Sequence, residues 1–149
     1  MGATMLHGEI AIGIAVSLAN IAIHSVIMAT VSWAAHHAAR VVSDRDHRRR
    51  LTIVMMATVI VLMAAHLVEI TVWSLVYMAL GVAPAGSDFY LAFVNYTTLG
   101  YGDLLPAPTW RLLGPMAAIN GVLLFGWSTA VIYDVLRSIA VVAPASAHR

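Results

Sequence analysis

Charged positions are spaced along this chain in a way that marks out its elements. No Asp, Glu, Lys or Arg occurs between Ile10 and Ala39. Leu51 to Ala83 holds only Glu69, and Leu112 to Val142 holds only Asp134 and Arg137, both late. Each stretch exceeds the ~20 apolar residues that carry a helix across a bilayer core. The pattern therefore predicts an all-α membrane protein with spans over 10–39, 51–83 and 109–142. Gly81-Val82-Ala83-Pro84 ends the second span, and Pro106 and Pro108 bracket entry to the third. A fourth apolar run, Phe89 to Thr97, follows Gly86-Ser87-Asp88. At ~9–11 residues it is too short to cross and suits a re-entrant helix. Ser87 or Asp88 is placed to cap it. Thr98-Leu99-Gly100-Tyr101-Gly102-Asp103 comes next, and two glycines so close oppose further helix. Irregular backbone at membrane depth must be buried in protein or line a water-filled path. The segment 87–103 thus reads as a pore helix and pore loop.

Composition narrows the class. The chain is 61% hydrophobic and 10% charged, where soluble domains carry roughly 25% charged residues. That excludes a soluble globular enzyme. The absence of cysteine excludes disulfides, thiol catalysis and thiolate metal sites. A net charge of +1 argues against a nucleic-acid partner. All basic residues are arginine, and Arg40, Arg45, Arg48, Arg49 and Arg50 cluster in the first connection. Positive charge favours the cytoplasmic side. The N-terminus is therefore expected outside, and the C-terminal end with Arg137 and Arg149 inside. Arginine without lysine, with abundant Ala and Val, points to a bacterial cell membrane. The first span lacks the basic start of a signal peptide and is too long for one.

The run Thr97-Thr98-Leu99-Gly100-Tyr101-Gly102-Asp103 resembles the signature filter of tetrameric potassium channels, with Leu99 where that family usually has valine or isoleucine. The resemblance covers about Leu51–Arg137. It implies that Thr98, Leu99, Gly100, Tyr101 and Gly102 form the ion-binding filter. Carbonyls of residues 98–101 and the Thr98 hydroxyl would replace the water shell of a potassium ion. Leu99 and Tyr101 would point away from the ion, and Asp103 would ring the outer mouth. The family implies a homotetramer in the lipid bilayer, with potassium as permeant ion and no cofactor. It makes Val122, Phe125 and Thr129 candidates for lining an inner cavity, and Gly121 and Gly126 hinge candidates. The sequence departs from the family at Val94, where some bacterial members are acidic. It departs again at Tyr90 and Leu91, where many carry paired tryptophans. The first span has no counterpart in a minimal two-span pore.

Other residues stand out on physical grounds. Glu69 lies within a span, where an unpaired acid costs ~2.5–3.5 kcal/mol or more. With His66, Trp73 and Tyr77 it shares one helix face, so it is expected against protein behind the filter, near Asn95 or Tyr96. The His66–Glu69 pair is either a static polar contact or a pH-sensing one. Asp134 and Arg137 are expected to form a solvated ion pair of little energetic weight. The seven histidines, including His24 and His36-His37, fit no zinc-enzyme spacing, so no metal beyond potassium is expected. The first span has no arginine series of a voltage sensor. Its small residues Ala11, Gly13, Ala15, Ala19 and Ala22 suit close packing. Few residues follow the third span, so gating is expected from the membrane, protons, the filter or a separate partner. The reading is passive potassium conduction without enzymatic chemistry. Its alternatives are a poorly selective cation channel and a non-conducting subunit of a larger complex.

Overall fold

A computed structural model describes residues 2–41 and 47–140, with side chains over 6–37 and 48–139. Arg45 and Arg149 lie outside the described residues, as does the Arg40 side chain. The described chain is helical throughout its regular structure, with no strand. The helices are α1 (Gly2–Val41), α2 (His47–Leu80), α3 (Asp88–Tyr96) and α4 (Leu113–Ala140). A single 3-10 turn, Pro108–Trp110, precedes α4. Leu6–His37, Arg48–Leu80 and Leu113–Ile139 are each long and apolar enough to cross a membrane. The protein is an all-α integral membrane protein. At ~1.5 Å per residue, the 40 residues of α1 extend far beyond a ~30 Å hydrocarbon core.

Local chemistry sets the helix ends. α2 begins with Arg48, Arg49 and Arg50 in its first turn, earlier than the apolar pattern at Leu51 indicates. Cations oppose the dipole at that end, so these arginines do not stabilise the helix start. α2 stops at Leu80 because Gly81 turns left-handed, φ +64. Gly81 N then donates to Met78 O and Val82 N to Tyr77 O, closing the last turn. α4 starts at Leu113, not at 109, and Pro115 supplies the reason. Proline has no N–H for the carbonyl of residue 111, and its ring would crowd that carbonyl in a continuous helix. The first turn bond is accordingly Met116 N to Leu112 O, 3.1 Å.

The short α3 packs between α2 and α4 at one end of the bundle. Trp73, Tyr77, Leu91, Ala92, Tyr96, Leu113 and Ala117 form the core there. Met28, Val31, Leu62, Val131, Val135 and Ile139 form a second cluster at the other end. α1 lies chiefly along α4. Its buried face is Glu9, Gly13, Val16, Asn20, His24, Met28, Val31 and Ala35, at helical spacing. Of the small residues proposed for packing, Gly13 alone is buried; Ala11, Ala15, Ala19 and Ala22 are exposed. The polar side chains decide the matter. Glu9, Asn20 and His24 find partners inside the protein and would find none in lipid.

Candidate pore segment and its supporting network

The segment after α3 has an unusual backbone. Thr98 N donates to Asn95 O and Leu99 N to Val94 O, both at 3.0 Å. This closes α3 as Gly81 closes α2, but the left-handed residue is Thr98, φ +58. A β-branched residue there costs ~1–3 kcal/mol. Gly100 (φ +59) and Gly102 (φ +76) are also left-handed, whereas Leu99 and Tyr101 are not. Left-handed residues therefore alternate along 98–102. Such alternation turns successive peptide planes the same way, the condition for a row of carbonyls facing one side. Among the described residues, nothing donates a hydrogen bond to the carbonyls of Thr98, Leu99, Gly100 or Tyr101. Leu99 and Tyr101 are exposed at 48% and 69%.

The loop is tied to α3 at its far end. Tyr90 Oη donates to Asp103 Oδ2 at 2.6 Å. That bond, with the carboxylate's negative charge, raises the Tyr90 phenol above its ordinary value. The tyrosine at position 90 thus retains a donor for the loop. At the N-terminus of α3, Ser87 is the capping residue but makes no side-chain bond, and Asp88 lies in the first turn. Below the loop, α4 passes so close that a Cβ on Gly121 would overlap the Tyr96 carbonyl.

Behind α3 lies a polar network drawn from all four helices. Glu69 is fully buried. Its Oε1 faces His24 Nδ1 at 2.7 Å and its Oε2 faces His66 Nδ1 at 3.0 Å. Tyr96 Oη also donates to Oε2 and lies 3.0 Å from His66 Nδ1. Ser128 Oγ lies 3.0 Å from His66 Nε2 and 3.4 Å from His24 Nε2. Toward α3, a second group follows. Asn120 Oδ1 accepts from Asn20 Nδ2 and Trp73 Nε1, each at 3.1 Å, and Asn20 Nδ2 also reaches Glu69 O. Asn95 donates to Tyr77 Oη and not to Glu69, and Tyr77 donates to Leu113 O. The sequence pattern singled out His66 and Glu69, but not the partnership of His24, Asn20, Asn120 and Ser128. Their common signal is polarity at buried positions of apolar spans.

The model of an ion-channel family matches residues 51–138, which run from α2 through the loop to α4. This chain belongs to that ion-channel family. No curated protein and no solved structure matches the chain. The family is one of channels and not of enzymes, and membership supports passive ion conduction. α1 lies outside the matched region.

In the channel, the α4 candidates separate. Val122 and Thr129 are exposed on one side of the helix. Phe125 is half-buried, its ring centroid 4.5 Å from His66 and 5.5 Å from Tyr96. Gly126 has open space where a side chain would stand, unlike Gly121. Asp134 and Arg137 are both exposed and form no ion pair with each other.

Proposed function

We propose that this channel is selective for potassium, and that four copies close a pore around the segment Thr98-Leu99-Gly100-Tyr101-Gly102. The observation that carries this reading is the left-handed alternation at Thr98, Gly100 and Gly102. It accompanies four carbonyls without protein donors, at a depth where unmet backbone groups are costly. A dehydrating cation compensates such carbonyls, and the segment resembles the potassium filter at every position but Leu99. One chain supplies only one row of carbonyls, and rotational symmetry supplies the rest. In this reading Asp103 rings the outer mouth, held by Tyr90. Val122 and Thr129 face the inner cavity. The N-terminus lies outside and the arginine-rich connection in the cytoplasm of a bacterial cell.

Bi-ionic recording from purified protein in planar bilayers tests selectivity. With potassium on one side and sodium on the other, the reversal potential should shift strongly in the direction set by potassium permeability. A reversal near zero would show that Leu99 does not support discrimination, and would leave a general cation channel.

A further inference from the structure

His24, His66 and Glu69 offer donor atoms that lie within 4.8 Å of one another. The three come from two helices, α1 and α2, and meet in the bundle interior. His24 and Glu69 are completely buried, while His66 keeps 13% of its side chain exposed, which leaves one approach.

The orientation of the two rings is the informative feature. Both histidines aim Nδ1 at the Glu69 carboxylate and Nε2 at the same Ser128 Oγ. If both rings are neutral and donate through Nδ1, both Nε2 atoms need a donor. Ser128 has one proton to give, so one ring goes short unless His66 takes the other tautomer, whose bare Nδ1 then faces Glu69 Oε2 at 3.0 Å and shares the one Tyr96 proton with it. If instead both Nδ1 atoms bind a metal, both Nε2 atoms carry protons. Ser128 Oγ has two lone pairs and accepts both. Fixing a ligating histidine through its other nitrogen is the usual second layer of a metal site.

We infer that His24 Nδ1, His66 Nδ1 and Glu69 form a buried site for a divalent transition-metal ion of the zinc type, supported by Ser128, that fastens α1 to the channel module. The donor set selects the metal class. Two imidazoles and one carboxylate suit zinc and its first-row neighbours, whereas calcium and magnesium take all-oxygen sets. Modest side-chain rotation brings donors at these separations to the ~2.0–2.2 Å of zinc bonds. Tyr96 Oη, already on Glu69 and 3.0 Å from His66 Nδ1, offers a further oxygen. The site is independent of conduction and stands whether or not the pore selects potassium.

The test is metal analysis of the full chain in detergent, purified without an affinity tag, incubated with Zn2+ and washed with a weak chelator. The native protein should retain a single zinc ion per chain and lose thermal stability when a strong chelator removes it. His24→Gln and Glu69→Gln should lose the zinc, and His7→Gln and His37→Gln, at exposed positions, should keep it. Because the first two variants can misfold, Co2+ loading of the native protein gives a second readout. A cobalt ion held by these few donors shows strong visible absorption, which added Zn2+ abolishes. Two results would overturn the site. One is native protein that retains no zinc and shows no cobalt band, which would mean that one protonated imidazole balances Glu69. The other is zinc retained equally by folded His24→Gln and Glu69→Gln, which would mean that surface histidines bind it.

Discussion

One added carbon separates the two inner-helix glycines. At Gly121 a Cβ would meet the Tyr96 carbonyl, whereas at Gly126 it meets nothing within 4 Å. Gly121→Ala should therefore destabilise the folded channel by ~1–3 kcal/mol. Gly126→Ala should be neutral or stabilising by up to ~1 kcal/mol, the helix preference of alanine. Thermal melts of the two variants check this, and equal melting points would contradict it. The contrast leaves Gly126 as the hinge candidate free of a packing duty. Tyr90 supplies a pH prediction at the same scale. Its proton is held by a neighbouring carboxylate, and ionisation would set two negative groups together. The Tyr90–Asp103 bond is thus intact at neutral pH and is lost only as pH rises through a value above the ordinary ~10. Alkaline absorbance titration, with Tyr90→Phe as the reference, should show this phenol titrating late, and Asp103→Asn should return it toward the ordinary range. An unchanged titration in Asp103→Asn would sever the link.

Between elements, the capping of α4 by α1 makes a sharp prediction. Glu9 Oε2 accepts from Leu112 N at 2.9 Å, just before the first residue of α4. Glu9→Ala should cost about 0.5–2 kcal/mol, the usual worth of a cap, and Glu9→Gln should recover much of it through its remaining oxygen. Chemical or thermal unfolding of both variants measures the difference; no loss in Glu9→Ala would contradict a capping role. This contact also marks where sequence reading stops. The three spans, the short α3 and the buried fate of Glu69 are written in local hydropathy and in the cost of burying charge. Which face of α1 turns inward is not. Ala11, Ala15, Ala19 and Ala22 lie on one side of α1 and Glu9, Asn20 and His24 on the other. Only the presence of Asn120, Ser128 and Glu69 on other helices makes the polar side the buried one. The start of α4 was legible in principle, since Pro115 already forbids a turn bond to residue 111. Thr98 in a left-handed conformation was not, because nothing local favours it.

For the whole molecule, the proposed assembly of four copies would cover what a single chain leaves open. Leu99, Tyr101, Leu105, Ile119, Val122 and Leu123 are exposed apolar residues on the loop and α4. A cleft of about 440 Å³ beside the loop is bordered by Val94, Thr98, Gly100 and Ala118, and in the proposed assembly side chains of a neighbouring copy would enter it. The absence of cysteine gives a clean background for testing this. In the proposed assembly, Thr129→Cys should be joined between chains by a short bis-maleimide, whereas Ile60→Cys, at an exposed position of α2, should not. Full thiol labelling at position 129 without any cross-link would argue against a shared axis at that face.

Conduction itself is the central claim, and flux into liposomes of the purified protein tests it most directly. Potassium uptake should far exceed sodium uptake for the native chain. Gly100→Ala, which places a side chain on a residue at φ +59, should abolish that uptake while the protein still reconstitutes. Equal potassium and sodium uptake, or potassium uptake undiminished in Gly100→Ala, would contradict the assignment of residues 98–102 as the selective path.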